Sequence, residues 1–317
     1  MTVFGGSGFI GRHVVHALLN GGWRVRIACR HPDLARDLLA LGKPGQVELA
    51  QADLRKPHTV VVALEGANAA VNLVGILTES GDQTFAAVMS QGAHAVAEAV
   101  AKAGLKRFVH VSAIGARENS PSAYAHNKAK GEAAVRALVP QAIIFRPSIV
   151  FGPEDDFFNR FATMARFMPI LPLVGAETRF QPVFVDDIAQ AIALALDGKA
   201  TPGTIYELGG PGVKSFRELV QFVCDITGRH RPIISLPFET GKLMASATQA
   251  MEKLSLGLFP KLLSMTTDQV ELLRSDNVVS GEAKAAGRTL EGLGILPRPI
   301  EAIVPAYLDR DREAGRY

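Results

Sequence analysis

The chain has 317 residues, 48% hydrophobic and 21% charged, a balance that belongs to a folded globular protein and excludes an intrinsically disordered one. A net charge of only +3, no Lys/Arg run and 7% aromatics exclude a nucleic-acid groove or a base-stacking surface. Two distant cysteines, Cys29 and Cys224, give neither a disulfide framework nor a zinc spacing, and are expected as reduced, buried thiols.

Strand-like and helix-like patterns alternate from the N-terminus. Thr2–Gly6 reads as a short buried strand, Gly11–Asn20 as a helix, Trp23–Arg30 as a second strand and Pro32–Leu41 as a helix with proline in its first turn. Val47–Gln51 and Asn68–Val74 read as the third and fourth strands, and a long helix near Phe85–Ala103 is expected to stop at Gly104. Arg107–Ser112 reads as a fifth strand, Ala123–Leu138 as a helix and Ala142–Arg146 as a sixth strand. This alternation predicts an α/β fold, a Rossmann-type doubly wound parallel sheet covered on both faces, over residues 1–152.

After Gly152 the regularity weakens. Asn159–Met168 and Asp187–Leu196 read as helices, Phe180–Val185 and Thr204–Leu208 as strands, and Ser215–Thr227 as a helix with Glu218 at capping-box spacing from Ser215. Residues 153–317 are read as a mixed segment that returns to the core and forms a smaller C-terminal α/β domain for a substrate or partner. No apolar run is long enough to span a bilayer and no secretory signal is visible, so a cytoplasmic location is expected. Met1 falls inside the first strand, which raises the expectation of residues upstream.

The segment Gly5-Gly6-Ser7-Gly8-Phe9-Ile10-Gly11 follows the first strand and opens the first helix. Gly5 suits the tight turn, Gly8 the close approach of a pyrophosphate, and Gly11 close helix–strand packing. The helix N-terminus adds free N–H groups and a positive dipole end. The plain alternative is a glycine-rich turn with no ligand. At the end of the second strand, where an acid would hold the ribose hydroxyls of NAD, the chain has Cys29-Arg30-His31. Arg30, assisted by Arg12, suits a 2′-phosphate, so NADP(H) is preferred over NAD(H); the alternative is a solvated arginine. Asp53, after the third strand, is read either as an acceptor for the adenine amino group or as a cap of the next helix.

Tyr124 and Lys128 lie four apart on one helix face. An ammonium beside a phenol favours the phenolate, and such a tyrosine exchanges a proton with a carbonyl while a nicotinamide passes hydride. The plain alternative is a surface pair.

With Asn72-Leu73-Val74-Gly75, Arg146-Pro147-Ser148-Ile149-Val150-Phe151-Gly152 and Val183-Phe184-Val185-Asp186-Asp187-Ile188-Ala189, the chain resembles the extended or atypical branch of the short-chain dehydrogenase/reductase superfamily. The resemblance implies catalytic Tyr124 and Lys128, a dinucleotide held by Gly5, Ser7, Gly8, Phe9, Ile10, Gly11, Arg12, Arg30, Asp53, Leu54, Val74, Gly75, Ser112, Tyr124, Lys128, Pro147 and Ile149, and no metal. Asp187 is read as a cap rather than a catalyst. The chain departs from the superfamily at its catalytic serine or threonine, where Ala113 stands; Ser112 substitutes only if the register slips by one.

Thr267–Leu273, Ser275–Val279, Gly294–Pro297, Ile303–Leu308 and Phe108–Ser112 are similar to the NAD(P)H-binding accessory subunit family of respiratory complex I (NADH:ubiquinone oxidoreductase) and its bacterial relatives. That resemblance implies a tightly held NADPH with a structural or assembly role, and partners among complex I subunits or a quinone-synthesis complex. An active reductase, epimerase or dehydratase is the alternative, and a sensor of NADPH a third reading. The apolar stripe Leu243, Met244, Met251, Leu254, Leu258, Phe259, Leu262 and Leu263, with Lys242, Lys253 and Lys261, is read as packing on the small domain or as peripheral contact with a membrane or partner.

Overall fold

The computed structural model describes residues 1–254 and 265–309. Its centre is a seven-stranded parallel sheet. The strands are β1 (Thr2–Phe4), β2 (Val25–Cys29), β3 (Val47–Gln51), β4 (Ala70–Asn72), β5 (Phe108–Val111), β6 (Ile143–Pro147) and the late strand Ile205–Leu208. Their spatial order is Ile205–Leu208, β6, β5, β4, β1, β2, β3. The chain therefore starts in the middle, winds to one edge, and returns to β4 to wind the other way. A crevice at this switch point, between β1 and β4, is where open α/β sheets take ligands.

The strands read as unbroken apolar runs because helices cover both faces. Under α2 (Pro57–Leu64), α3 (Gly92–Lys102) and α4 (Ala123–Leu138), one core joins Phe4, Val60, Val96, Val100, Phe108, Val135 and Ile144. The other face carries α1 (Phe9–Asn20), which packs on the helix Val185–Leu196.

Several elements differ from the pattern reading. Pro32–Leu41 winds as a 3₁₀ helix, and the helix expected at Phe85–Ala103 opens with a π-helical stretch, Ala86–Gln91, before α3. A Cβ on Gly131 would stand 2.3 Å from Met89 O, so α4 approaches that wider stretch at a distance only glycine allows. Phe180–Val185 is not one strand: Arg179–Phe180 and Val183–Phe184 are separate, and Val185 already begins the next helix. Pro182, which has no N–H to donate to a ladder, lies at the break. The capping box at Ser215 and Glu218 forms as its spacing predicts.

The chain divides into two compact units. The first comprises Met1–Pro147, Val185–Gly209 and Val279–Pro297; the second comprises Ser148–Phe184, Gly210–Val278 and the chain from Arg298. The chain thus leaves the sheet unit after Pro147 and returns to it twice. Among the described residues the second unit is mainly helical, and its strands occur as two-stranded pairs. Phe157 packs tilted or edge-on against Phe158, Phe161, Phe180 and Phe216, with centroids 5.1–6.4 Å apart. Nearby, the buried Asp155 accepts from Phe158 N at 2.6 Å and from the hydroxyl of Tyr307 at 2.5 Å, which anchors the helix Ile300–Leu308.

The helix Phe238–Leu254 packs through Gly241 and Ala245 beside Val174, leaving Leu243 and Met244 exposed, so these two do not join the packing of the small domain. Leu258, Phe259, Lys261, Leu262 and Leu263 lie outside the described residues, as do the side chains of Met251, Lys253 and Leu254. Among the described residues no helix is long and apolar enough to cross a membrane.

Candidate functional site

The phosphate loop is built by three glycines with different physical reasons. Gly5 has φ +78°, which a side chain rarely adopts. A Cβ on Gly11 would stand 2.3 Å from Gly5 O and 2.6 Å from Gly6 Cα, so α1 approaches the loop only without one. Gly8 is different: its backbone is extended, and a Cβ would meet only Gly5 O at 3.5 Å. The fold itself tolerates a side chain at Gly8, whereas a diphosphate against the bare helix N-terminus does not. No side chain caps α1, so its first N–H groups remain available to an anion. These features fit a dinucleotide.

Around the far end of that cradle, Arg30 is exposed at the end of β2, and no ion pair holds it among the described residues. Arg12 is already engaged, its Nη1 lying 2.6 Å from Asp37 Oδ2. Asp53 does not cap α2, whose N-cap residue is Lys56. Its carboxylate instead accepts from Arg55 N, Nε and Nη2 at 2.6–3.2 Å, and the Arg55 contact holds it below the usual carboxylate range. Leu54 is 6% exposed and meets Gly92 of α3, so its side chain is core. Cys29 and Cys224 are free and buried; burial pushes the Cys29 thiol up, while a hydrogen bond from Ser7 works against it.

At the other end, α4 carries Tyr124 and Lys128 on one face, and its N-cap Ser122 accepts from Ala125 N. Tyr124 is half-buried and meets the ring of Phe85 edge-on at 5.8 Å. Lys128 is buried; its Nζ donates to Val111 O at 3.2 Å, and a Cβ on Gly75 would stand 3.3 Å from it. Burial pushes Lys128 down to about 8 against the opposing pull of Glu132.

Two residues beneath it carry polar atoms without partners. Ser112 is 3% exposed, and its Oγ has no hydrogen-bond partner; His110 Nε2 is in the same condition. Val74 N donates to Asn72 Oδ1 at 3.1 Å, which turns Asn72 Nδ2 toward His110 Nδ1 at 3.3 Å. Nδ1 is then the acceptor, and the ring proton sits on Nε2. Burial, with Lys128 adding to it, pushes His110 down to about 3. Ala113, the next residue after Ser112, is half-exposed. The strand end therefore presents a methyl group where the hydroxyl lies inside.

Of the remaining expected residues, Val74 and Gly75 follow β4 beside the loop, since a Cβ on Gly5 would touch Val74. Pro147 ends β6 in the first unit, whereas Ile149 belongs to the second. Asp187 is buried in the first turn of Val185–Leu196, where the helix dipole favours a carboxylate, and its neighbour Asp186 pairs with His13 Nδ1 at 2.5 Å. Sequence reasoning missed Asn72, His110, Glu132 and Arg146. A histidine inside the apolar run Phe108–Val111 was the one available signal.

A family model described as NAD(P)H-binding matches residues 5–147. The subunit "NADH dehydrogenase [ubiquinone] 1 alpha subcomplex subunit 9, mitochondrial" of Arabidopsis thaliana is 32% identical over 322 residues, covering 99% of this chain and 78% of its own length. The chain belongs to this family. The NAD(P)H-binding match lies within the first unit, and the fold is that of the short-chain dehydrogenase/reductase group. A protein named ceramide reductase from Caulobacter vibrioides is 37% identical over 193 residues, 60% of this chain and 58% of that one. The NADPH-dependent quinone oxidoreductase QOR2 from Escherichia coli, solved with NADPH, shares the fold with a TM-score of 0.74 at 18% identity, over 97% of this chain and 99% of that one.

Proposed function

We propose that this protein holds NADP(H) as a structural part, and serves as an accessory or assembly component of a respiratory NADH dehydrogenase, peripheral at the cytoplasmic face of the inner membrane. One contrast carries this reading: the phosphate loop is complete, but the strand end beside Lys128 offers Ala113 while the hydroxyl of Ser112 is buried. A donor of that kind at a reacting carbonyl is worth about 2–4 kcal/mol of barrier, and its absence leaves binding intact while weakening chemistry. Arg30, free of ion pairs and exposed, is the residue proposed to take the 2′-phosphate; Arg12, paired with Asp37, is the weaker partner. The role comes from kinship with the subunit-9 relatives. Denaturing the purified protein and identifying the released dinucleotide tests it. NADP(H), released only on unfolding and exchanging slowly when folded, is the expected result; NAD(H), or rapid exchange with turnover, rejects it.

A second reading has one specific observation behind it. Tyr124 and Lys128 are both present and share one face of α4, and the identity to the Caulobacter ceramide reductase is 37% over 193 residues. In that reading Tyr124 passes a proton to a carbonyl of an amide-bearing lipid, with the Lys128 ammonium favouring its phenolate. Loss of turnover in Tyr124→Phe on such a substrate supports it.

A further inference from the structure

The short strands Leu171–Val174 and Ile233–Leu236 of the second unit pair in parallel, with Pro172 opposite Ile234. Leu171, Leu173 and Val174 are buried, whereas Pro172 is half-buried and Ile234 is exposed. The pairing extends one step further, Leu171 N donating to Pro232 O at 2.9 Å, which brings Ile170 level with Pro232. Ile170 and Ile234 are 42% and 45% exposed. Just upstream, Phe167 ends the helix Phe157–Phe167 and is 69% exposed.

Two cations flank one end of this apolar face, while at the strand Ile233–Leu236 Arg217 donates to Ile233 O and pairs with Glu177. The Arg166 guanidinium lies 5.3 Å from the Phe167 ring centroid, and Arg231 Nε donates to Ala165 O at 2.9 Å, which ties it to the same helix end. Neither arginine is ion-paired among the described residues. No carboxylate occurs at positions 164–174 or 226–238.

We propose that this face docks on an anionic phospholipid bilayer, with Phe167, Ile170 and Ile234 entering the headgroup–acyl boundary and Arg166 and Arg231 meeting lipid phosphates. Charge complementarity selects an anionic partner. The centre of the patch selects lipid over protein: Pro169, Pro172 and Pro232 have no N–H, so the surface brings few backbone donors to acyl chains that offer no acceptor. The inference deepens the peripheral location proposed above, and it stands whether or not the protein is an accessory subunit.

The test is sedimentation of the full chain with vesicles of phosphatidylcholine, with and without phosphatidylglycerol. Binding is expected only with phosphatidylglycerol, weakened by salt, reduced by about tenfold in Phe167→Ser/Ile234→Ser, and reduced again in Arg166→Glu. These side chains are exposed, so the thermal midpoint should stay at the wild-type value. Wild-type protein that ignores phosphatidylglycerol, or a double variant that sediments like wild type, overturns the proposal. Loss of a protein partner in the variants, with no vesicle binding by wild type, overturns it in favour of a protein interface. Vesicle binding by protein that fails to co-purify with the NADH dehydrogenase supports this face and rejects the accessory role.

Discussion

Glu132 takes the guanidinium of Arg146 in both carboxylate oxygens, at 2.9 and 2.5 Å, one helical turn beyond Lys128 on the same face of α4. Arg146 also lies 3.9 Å from Glu207, whose other oxygen accepts from Ser280 N at 2.7 Å. A charged layer thus runs under β6 from the Tyr/Lys helix to the returning C-terminal segment. Glu132→Gln leaves Arg146 mostly buried with a poorer partner and should cost about 3 kcal/mol in urea unfolding. Replacing both by leucine should recover most of that loss; a double variant as unstable as the single one would show that the pair is more than a satisfied charge.

His110 makes stability depend on acid. Its folded pKa, about 3, lies below the ordinary value of 6.5. Between those values the unfolded chain binds a proton that the folded chain refuses, so stability falls as pH drops through this window. The slope is about 1.4 kcal/mol per pH unit. His110→Leu should flatten the urea midpoint between pH 6.5 and the carboxylate range. Lys128 acts at the other end. Its folded pKa of about 8 lies below the ordinary 10.5, so stability should rise as pH climbs between them, and Lys128→Met should remove that rise.

The two loop glycines separate folding from binding. In Gly11→Ala the new Cβ meets Gly5 O at 2.3 Å, which should destabilise the apo-protein as well as abolish dinucleotide retention. In Gly8→Ala the Cβ meets nothing closer than 3.5 Å, so the thermal midpoint of the apo-protein should hold while affinity falls by about tenfold or more. Calorimetry on the stripped protein distinguishes the two.

Tyr307→Phe removes the hydroxyl that pairs with buried Asp155. Burial already pushes the Asp155 carboxyl up, so a lost donor should cost about 1–3 kcal/mol. Limited proteolysis of the second unit should accelerate in the variant.

Arg30→Ala should weaken NADPH by about tenfold and leave NADH unchanged, since only the 2′-phosphate loses its fork. Equal losses for both cofactors would reject the assigned role.

What the sequence determined by itself was local and periodic. The strand–helix alternation of the first 147 residues, the glycine turn at Gly5–Gly11, the capping box at Ser215 and the shared helix face of Tyr124 and Lys128 all depend on residues a few positions apart, and these formed, with only the winding of two helices differing. Tertiary structure decided what depends on neighbours far along the chain. Arg12 looked available until Asp37 met it 25 positions away. Leu54 is a core residue because Gly92 lets α3 close over it. The π-helical turn before α3 lies where Gly131 of α4 closely approaches Met89, a contact no single-segment pattern contains. Ser112 and Ala113 differ by one hydroxyl in the sequence; only the sheet, by burying one and half-exposing its neighbour, determines which of them reaches the surface at the strand end. Side-chain burial and partner choice are properties of the assembled sheet and helices, and a one-dimensional pattern carries them only where the partners are also neighbours in sequence.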